Sequence, residues 1–338
     1  SRMLGESETV EAHALRGASN FTDGSGGQHV AVQTVRVGVL VQESHGSRVP
    51  YGRSMKLGYT TMNTPADIAP RIIGPMLESA GFDSIWIGEH SHIPVSRRTP
   101  YPTGGEMPWQ YTTMMDPFIS LTQIGEHTSQ LLLGLGVALP LEHDVFVLAK
   151  KVATLDLLTG GRLQFGVGVG WNEEELADHR DVKWSQRYRA LAECIGALKS
   201  LWCDDESEYH GEFYDFDPVW CRPKPAQQPH PPIWCGTGGR LGTQHAVAWS
   251  DGWLPLDVTL GDVPRRVSKF RSIAAENGRH DVPISLVAFG DPTLDTLLAY
   301  RDLGIDRVIV GSGRDGWEDP TGVSAFIDRY AAMIDRLA

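Results

Sequence analysis

Short runs of aliphatic and β-branched residues alternate along this chain with stretches whose apolar positions recur every three or four residues. The first kind reads as strands buried in a sheet, the second as helices laid against it. From Val35 onward eight such runs occur: VRVGVLV (35–41), SIWIG (84–88), LLLGLGVAL (131–139), RLQFGVG (162–168), PIWCG (232–236), DGWLP (251–255), PISLVAF (283–289) and DRVIVG (306–311). Between them Ile68, Ile72, Ile73, Met76 and Leu77 share one helical face, as do Trp184, Tyr188, Leu191, Ile195 and Leu198. Val323, Phe326, Ile327, Tyr330 and Leu337 close the chain with the same spacing. Asp116-Pro117 has the form of a capping residue followed by Pro at the first helical position, and Asp144 stands where it would cap the helix after the third strand.

Eight β/α units with no break in composition predict an α/β fold, a single (β/α)8 TIM barrel over residues 35–338. A doubly wound sheet is the competing architecture. Residues 1–34, polar and rich in Gly and Ser (FTDGSGGQ), read as a disordered extension or tag remnant outside that domain. A barrel takes roughly 250 residues, so the surplus falls at 42–64, 89–115, 171–183 and 203–231. The first three follow strands one, two and four, which places these insertions at the C-terminal face where barrel enzymes build their sites. The fourth, a hairpin (ESEYHGEFYDF) and a Pro-rich tether (RPKPAQQPHPP), precedes strand five and reads as structure on the opposite face.

Composition narrows the partner. A formal net charge of −12 speaks against nucleic acid and leaves a small molecule as the default ligand. Cys194, Cys203, Cys221 and Cys235 form no metal-type spacing and read as reduced thiols, which implies a cytoplasmic protein. No apolar run is long enough to span a bilayer, so no membrane association is expected.

Candidate chemistry clusters at strand ends. GVGVGWNEEEL (166–176) fails the dinucleotide fingerprint, because Trp171 or Glu173 stands where a third glycine is needed. As a loop after strand four, its backbone at Gly168, Val169, Gly170, Trp171 and Asn172 makes a candidate anion cradle; a glycine-rich bulge for barrel closure is the plainer alternative. WCGTGGR (234–240) repeats the pattern one strand later, with Gly236, Gly238 and Gly239 leading to Arg240, a cation where the helix dipole disfavours one unless an anion binds. Gly134 and Gly136 inside strand three suggest a flat ring packed on that backbone, or a twist point. GEHSHIP (88–94) ends strand two with Glu89, His90 and His92. Because side chains alternate along a strand, His90 is the acid/base candidate and Glu89 supports it from behind. The H-x-H pair also raises a metal-hydrolase reading, which the later strand ends, poor in ligands, do not complete. No metal is expected.

Taken together, FDSIWIGEH, LLLGLGVALP, KKVATLDLLTGGRLQFGVGVGWNEEE, HGEFYDFDPVWCRPKPAQQPHPPIWCGTGG and DGWLP resemble the bacterial luciferase-like monooxygenase superfamily, and within it the branch that uses coenzyme F420. The resemblance implies a ring lying across the C-terminal face, backed by a non-proline cis peptide at Gly136-Val137. It places the ribityl phosphate at Gly168 to Asn172 and makes His90 the catalytic candidate. An aromatic residue that some of these enzymes carry four positions later is replaced here by Pro94, which argues against sugar-phosphate substrates. The implied activity is F420-dependent hydride transfer to or from a small organic substrate. Alternatives are an FMNH2-dependent monooxygenase and a non-catalytic flavin-binding protein. Tyr51, Tyr59, Tyr101, Trp109 and Tyr111 make the pocket loops aromatic and suggest a planar or apolar substrate, and a homodimer is the family expectation.

Overall fold

The structure, a computed structural model, describes residues 54–311 and 320–338. Eight parallel strands form one sheet: β1 (Lys56–Thr61), β2 (Ser84–Ile87), β3 (Leu132–Leu135), β4 (Leu163–Val167), β7 (Ile233–Cys235), β8 (Gly252–Trp253), β9 (Ser285–Ala288) and β10 (Arg307–Val310). They pair in the order β8-β7-β4-β3-β2-β1-β10-β9. Parallel bridges Trp253 to Ile284 and Leu256 to Val287 join the two ends, so the sheet closes into a barrel. β5 (Ser207–His210) and β6 (Asp215–Val219) form the separate hairpin expected before the fifth barrel strand.

Outside the barrel run α1 (Pro70–Ser79), α2 (Pro117–Glu126), α3 (Val145–Leu158), α4 (Glu173–His179), α5 (Arg187–Cys203) and α6 (Arg240–Trp249). They are followed by α7 (Asp257–Leu260), α8 (Val263–Glu276), α9 (Leu294–Asp302), α10 (Pro320–Ala331) and α11 (Ile334–Leu337). The capping residues act as the sequence indicated. Asp116 accepts from the Ile119 N–H at 2.9 Å, and Asp144 accepts from Phe146 and Val147, each at 3.0 Å. Ile73 and Leu77 are buried, but Ile72 lies on the solvent side of α1, 45% exposed. No helix among the described residues is long and apolar enough to cross a membrane.

The first barrel strand corrects the sequence reading. VRVGVLV lies outside the described residues, and the strand that pairs with β2 and β10 is KLGYTT, inside the segment 42–64 that had been assigned to an insertion. Tyr59, counted among the pocket aromatics, is on this strand and faces the outer core, 2% exposed against Phe82 and Phe326. Tyr51 lies outside the described residues.

Glycines inside the strands are explained by the barrel interior. That interior is filled by Trp86, Trp234, Leu254, Val287 and Ile309, and the two indoles meet edge to face at 6.0 Å. A Cβ on Gly134 would stand 2.2 Å from the Trp86 ring, and one on Gly136 would stand 3.1 Å from the Trp86 Cβ. A flat ring, the indole of Trp86, thus packs against strand three at these glycines. Below it Arg307 closes the floor, paired with Asp83 at 2.7 Å and lying over both indoles. The Pro-rich tether is tied to the same lower end. Gln227 donates its backbone N–H and its side-chain amide to the buried Asp156 carboxylate, at 2.8 and 2.7 Å.

Candidate active site

The C-terminal ends of β2, β3, β4 and β7 bring the singled-out residues to one face of the barrel. Alternation along the end of β2 sends Glu89 and His90 in different directions. Glu89 is buried and turned toward the loop after β3: Oε2 accepts the Leu139 N–H at 2.8 Å, and Oε1 lies 2.9 Å from His143 Nε2. It holds the turn that follows Gly136-Val137 and the His143 ring, so the support expected of it goes to the β3 turn and not to His90 directly. The cis peptide at Gly136-Val137 is present.

His90 faces α4. Its Nδ1 is 2.7 Å from Glu175 Oε2, and its Nε2 accepts the indole N–H of Trp171 at 3.1 Å. An indole N–H can only donate, so Nε2 carries a lone pair and the ring proton sits on Nδ1, donated to Glu175. A buried carboxylate thus orients the ring, with Nε2 turned to the Trp171 indole. Tyr111 and Trp171 pack edge-on around it at centroid distances of 5.2 and 5.6 Å, and Tyr101 contacts both at 5.5 and 5.7 Å. Trp109, from the same loop, stands 47% exposed instead. His92 does not join His90. It turns to Ser91 Oγ at 2.9 Å and Asp178 at 3.0 Å, on the exposed rim.

The run GVGVGWNEEEL serves mostly protein contacts. Gly168 donates its N–H to Ala138 O at 3.0 Å, Val169 is buried, and Gly170 has φ of 71°, which an L side chain rarely adopts. Asn172 caps α4 with its side chain, accepting from the Glu175 N–H at 3.5 Å. Glu174 binds the loop above: it takes the Thr99 hydroxyl at 2.6 Å and the Arg98 N–H at 2.8 Å, which hold its carboxyl down to about 2. Glu175 holds His90. Three glutamates thus occupy the first turn of α4, and their charge opposes an anion at that helix end.

The WCGTGGR segment offers what α4 does not. The first turn of α6 contains no acidic residue, its N-terminus has no side-chain cap, and Gly239 and Arg240 are both exposed. A Cβ on Gly239 would meet nothing within 4 Å. Gly238 is different, because an added Cβ would strike Thr259 Oγ1 at 2.8 Å. Gly168 and Gly236 are small for a third reason: the Val137 side chain lies between them, 2.7 and 2.2 Å from where their Cβ atoms would be.

Sequence reasoning passed over two residues here, Glu175 and Glu142. The signal for Glu175 was the spacing Asn172-x-x-Glu175, which reads as a capping box; its carboxylate goes to His90 instead of back to the cap. Glu142, after β3, is buried, and its carboxyl is pushed up to about 9 by burial and by the charges of Glu175 and Glu89. Such a group keeps its proton in the folded chain while an unfolded chain releases it near 4.5. The folded state therefore binds more protons across that window, and stability falls as pH rises through it, by up to ~1.4 kcal/mol per pH unit. Glu142→Gln, which imitates the protonated carboxyl, is expected to flatten this decline. Urea midpoints measured between pH 5 and 9 check it, and parallel curves for the two proteins would refute it.

Residues 61–324 match the luciferase-like monooxygenase family. An uncharacterized protein of Mycobacterium tuberculosis is 36% identical over 289 residues, 83% of this chain and 99% of that one. The FMNH2-dependent dimethylsulfone monooxygenase of Pseudomonas putida is 36% identical over 143 residues, 42% of this chain and 39% of that one. Among solved structures, an F420-dependent secondary alcohol dehydrogenase in complex with an F420-acetone adduct superposes with a TM-score of 0.64 at 15% identity, over 84% of this chain and 99% of that one. A closed eight-stranded barrel with its buried histidine at the end of β2, matched over most of its length, places this chain in the luciferase-like monooxygenase family.

Proposed function

We propose that this chain is an oxidoreductase using coenzyme F420, with His90 exchanging the proton that balances hydride transfer to or from a small organic substrate. The observation that carries this reading is the Glu175-His90 pair. Buried Glu175 fixes the Nδ1 proton, which leaves the Nε2 lone pair to take a proton from a substrate hydroxyl and, once protonated, to return it to a carbonyl oxygen. When bound, the deazaflavin ring supplies or accepts the hydride at the substrate carbon. The walls formed by Tyr101, Tyr111 and Trp171 suit a planar or apolar substrate.

The residues present fit such a cofactor, with its phosphate at α6 rather than α4. The uncapped helix end, the open space at Gly239 and the exposed Arg240 form an anion-compatible end. Val137, between Gly168 and Gly236, would back the ring.

Flavin mononucleotide is the second reading, favoured by the similarity to the Pseudomonas putida monooxygenase; oxygen insertion would then replace hydride transfer. Fluorescence titrations of the protein with F420 and with flavin mononucleotide separate the two. Binding of neither would overturn both.

The phosphate position has its own test. Gly239→Asp puts a carboxylate at the α6 N-terminus, where Asp is a favoured cap, so folding should hold or improve. Repulsion should weaken binding of the phosphate-bearing cofactor about tenfold, ~1.4 kcal/mol. An unchanged dissociation constant would move the phosphate elsewhere.

A further inference from the structure

GEHSHIP brings His90 to the site, and the two residues after His90 form a second cluster. On the exposed rim the Ser91 hydroxyl stands between two imidazoles, its Oγ 2.9 Å from His92 Nδ1 and 2.7 Å from His179 Nε2. The other ring nitrogen of His92, Nε2, lies 3.0 Å from Asp178 Oδ2. Asp178 and His179 are consecutive residues at the end of α4, so that helix end closes over the loop after β2 and completes the cluster. A hydroxyl, an imidazole and a carboxylate are thus joined by an unbroken chain of short contacts.

The direction of each hydrogen bond follows from what the groups can do. A carboxylate only accepts, so Nε2 carries the proton of the neutral His92 ring and Nδ1 keeps a lone pair. Ser91 has one proton and gives it to Nδ1, which leaves its oxygen to accept the Nε2 proton of His179. Glu142 Oε2, 3.7 Å from that nitrogen, is too far to compete for it. Burial holds the His179 imidazole below its ordinary pKa, which keeps it a neutral donor at neutral pH. The backbone N–H groups of Ser91 and His92 have no acceptor among the described residues.

We propose that Ser91 is the nucleophile of a second, hydrolytic site for small activated esters, with His92 as its base and Asp178 orienting that base. The proposal depends neither on the cofactor nor on His90. Such a site is defined by geometry and roles, and the exchange of the two ring nitrogens relative to the usual order leaves the proton path intact, since either nitrogen can carry the proton. Ser91 Oγ attacks the acyl carbon as its proton passes to His92 Nδ1. The carbon–oxygen bond to the alcohol then breaks, and the alcohol leaves with that proton. Water attacks the acyl-serine in turn, its proton passing through His92 to the Ser91 oxygen as the acid leaves. One ester and one water become one acid and one alcohol, and His92 again holds its single proton on Nε2. The open N–H groups of Ser91 and His92 are donors available to the carbonyl oxygen during both attacks.

The test uses the purified chain without cofactor. Diisopropyl fluorophosphate is expected to label Ser91, read by mass spectrometry of its peptide, and p-nitrophenyl acetate to be hydrolysed through acetyl-Ser91. Ser91→Ala should abolish the label and lower the hydrolysis rate at least about tenfold. His92→Gln and Asp178→Asn, at exposed positions where folding should hold, should each slow labelling at least about tenfold. His179→Gln can still donate an N–H to Ser91 and should keep most of the labelling rate. A label on other residues, or none, would overturn the proposal. Hydrolysis unchanged in Ser91→Ala would assign it to the imidazoles alone and remove Ser91 as nucleophile. Ser91 labelled at the parent rate in both His92→Gln and Asp178→Asn would be an accessible serine without a base, which overturns the site equally.

Discussion

His90→Ala is expected to slow the chemical step by 10²- to 10⁴-fold, about 3–5 kcal/mol of barrier, while cofactor affinity changes little. The expectation follows from how the imidazole is held. Its Nδ1 is committed to a carboxylate that is completely buried, so the ring cannot turn away without leaving that charge unpaired. Its Nε2 is matched only by the Trp171 indole, a donor that a substrate hydroxyl can replace. Glu175→Gln should cost less than His90→Ala, because an amide can still orient the ring but cannot stabilise the imidazolium. Stopped-flow oxidation of reduced cofactor with ketones and aldehydes, set beside equilibrium cofactor titrations, separates the two effects. Equal rates in the parent and His90→Ala would remove His90 from the chemistry and favour a protein that only holds its ligand. A loss confined to binding would make His90 a wall of the pocket.

The architecture was legible because parallel strands buried on both faces read as continuous apolar runs, and seven of the eight barrel strands fall on runs identified that way. The exception has a physical cause. In KLGYTT the inward position is Gly58, where an added Cβ would meet Ser84 Oγ at 2.6 Å and the Trp86 indole nitrogen at 3.2 Å. The strand therefore lacks the apolar residue that would have marked it. His90 could be found from its place at a strand end, but Glu175 could not be assigned to it. The two are 85 residues apart and meet only in the folded chain, where α4 brings Glu175 to the end of β2. Glycines are the hardest to read from sequence. A glycine at a strand end looks alike in sequence whether it admits an indole, a valine methyl or a ligand. Gly134 admits Trp86, Gly168 and Gly236 admit Val137, and Gly239 leaves open space.

That sorting of glycines predicts a large effect with a specific rescue. Gly236→Ala places a Cβ 2.2 Å from Val137 Cγ1 and 3.2 Å from the Val167 carbonyl oxygen. Valine is stiff about χ1 and Val137 is bounded on its other side by Gly168, so the added methyl cannot be cleared by a rotamer change. Overpacking of this kind should cost about 2–3 kcal/mol and push Val137 out of position, weakening cofactor binding as well. Val137→Ala in the same chain removes the methyls that collide and should return most of the lost stability, a coupling of about 1–3 kcal/mol in the double-mutant cycle. Gly239→Ala serves as the contrast: its methyl enters open space and should leave the unfolding free energy within about 0.5 kcal/mol of the parent. If Gly236 were instead small in order to admit a phosphate, Gly236→Ala would damage binding without damaging stability, and Val137→Ala would rescue neither. Chemical denaturation and cofactor titration on the four proteins of the cycle decide between a glycine that makes room for Val137 and one that makes room for a ligand.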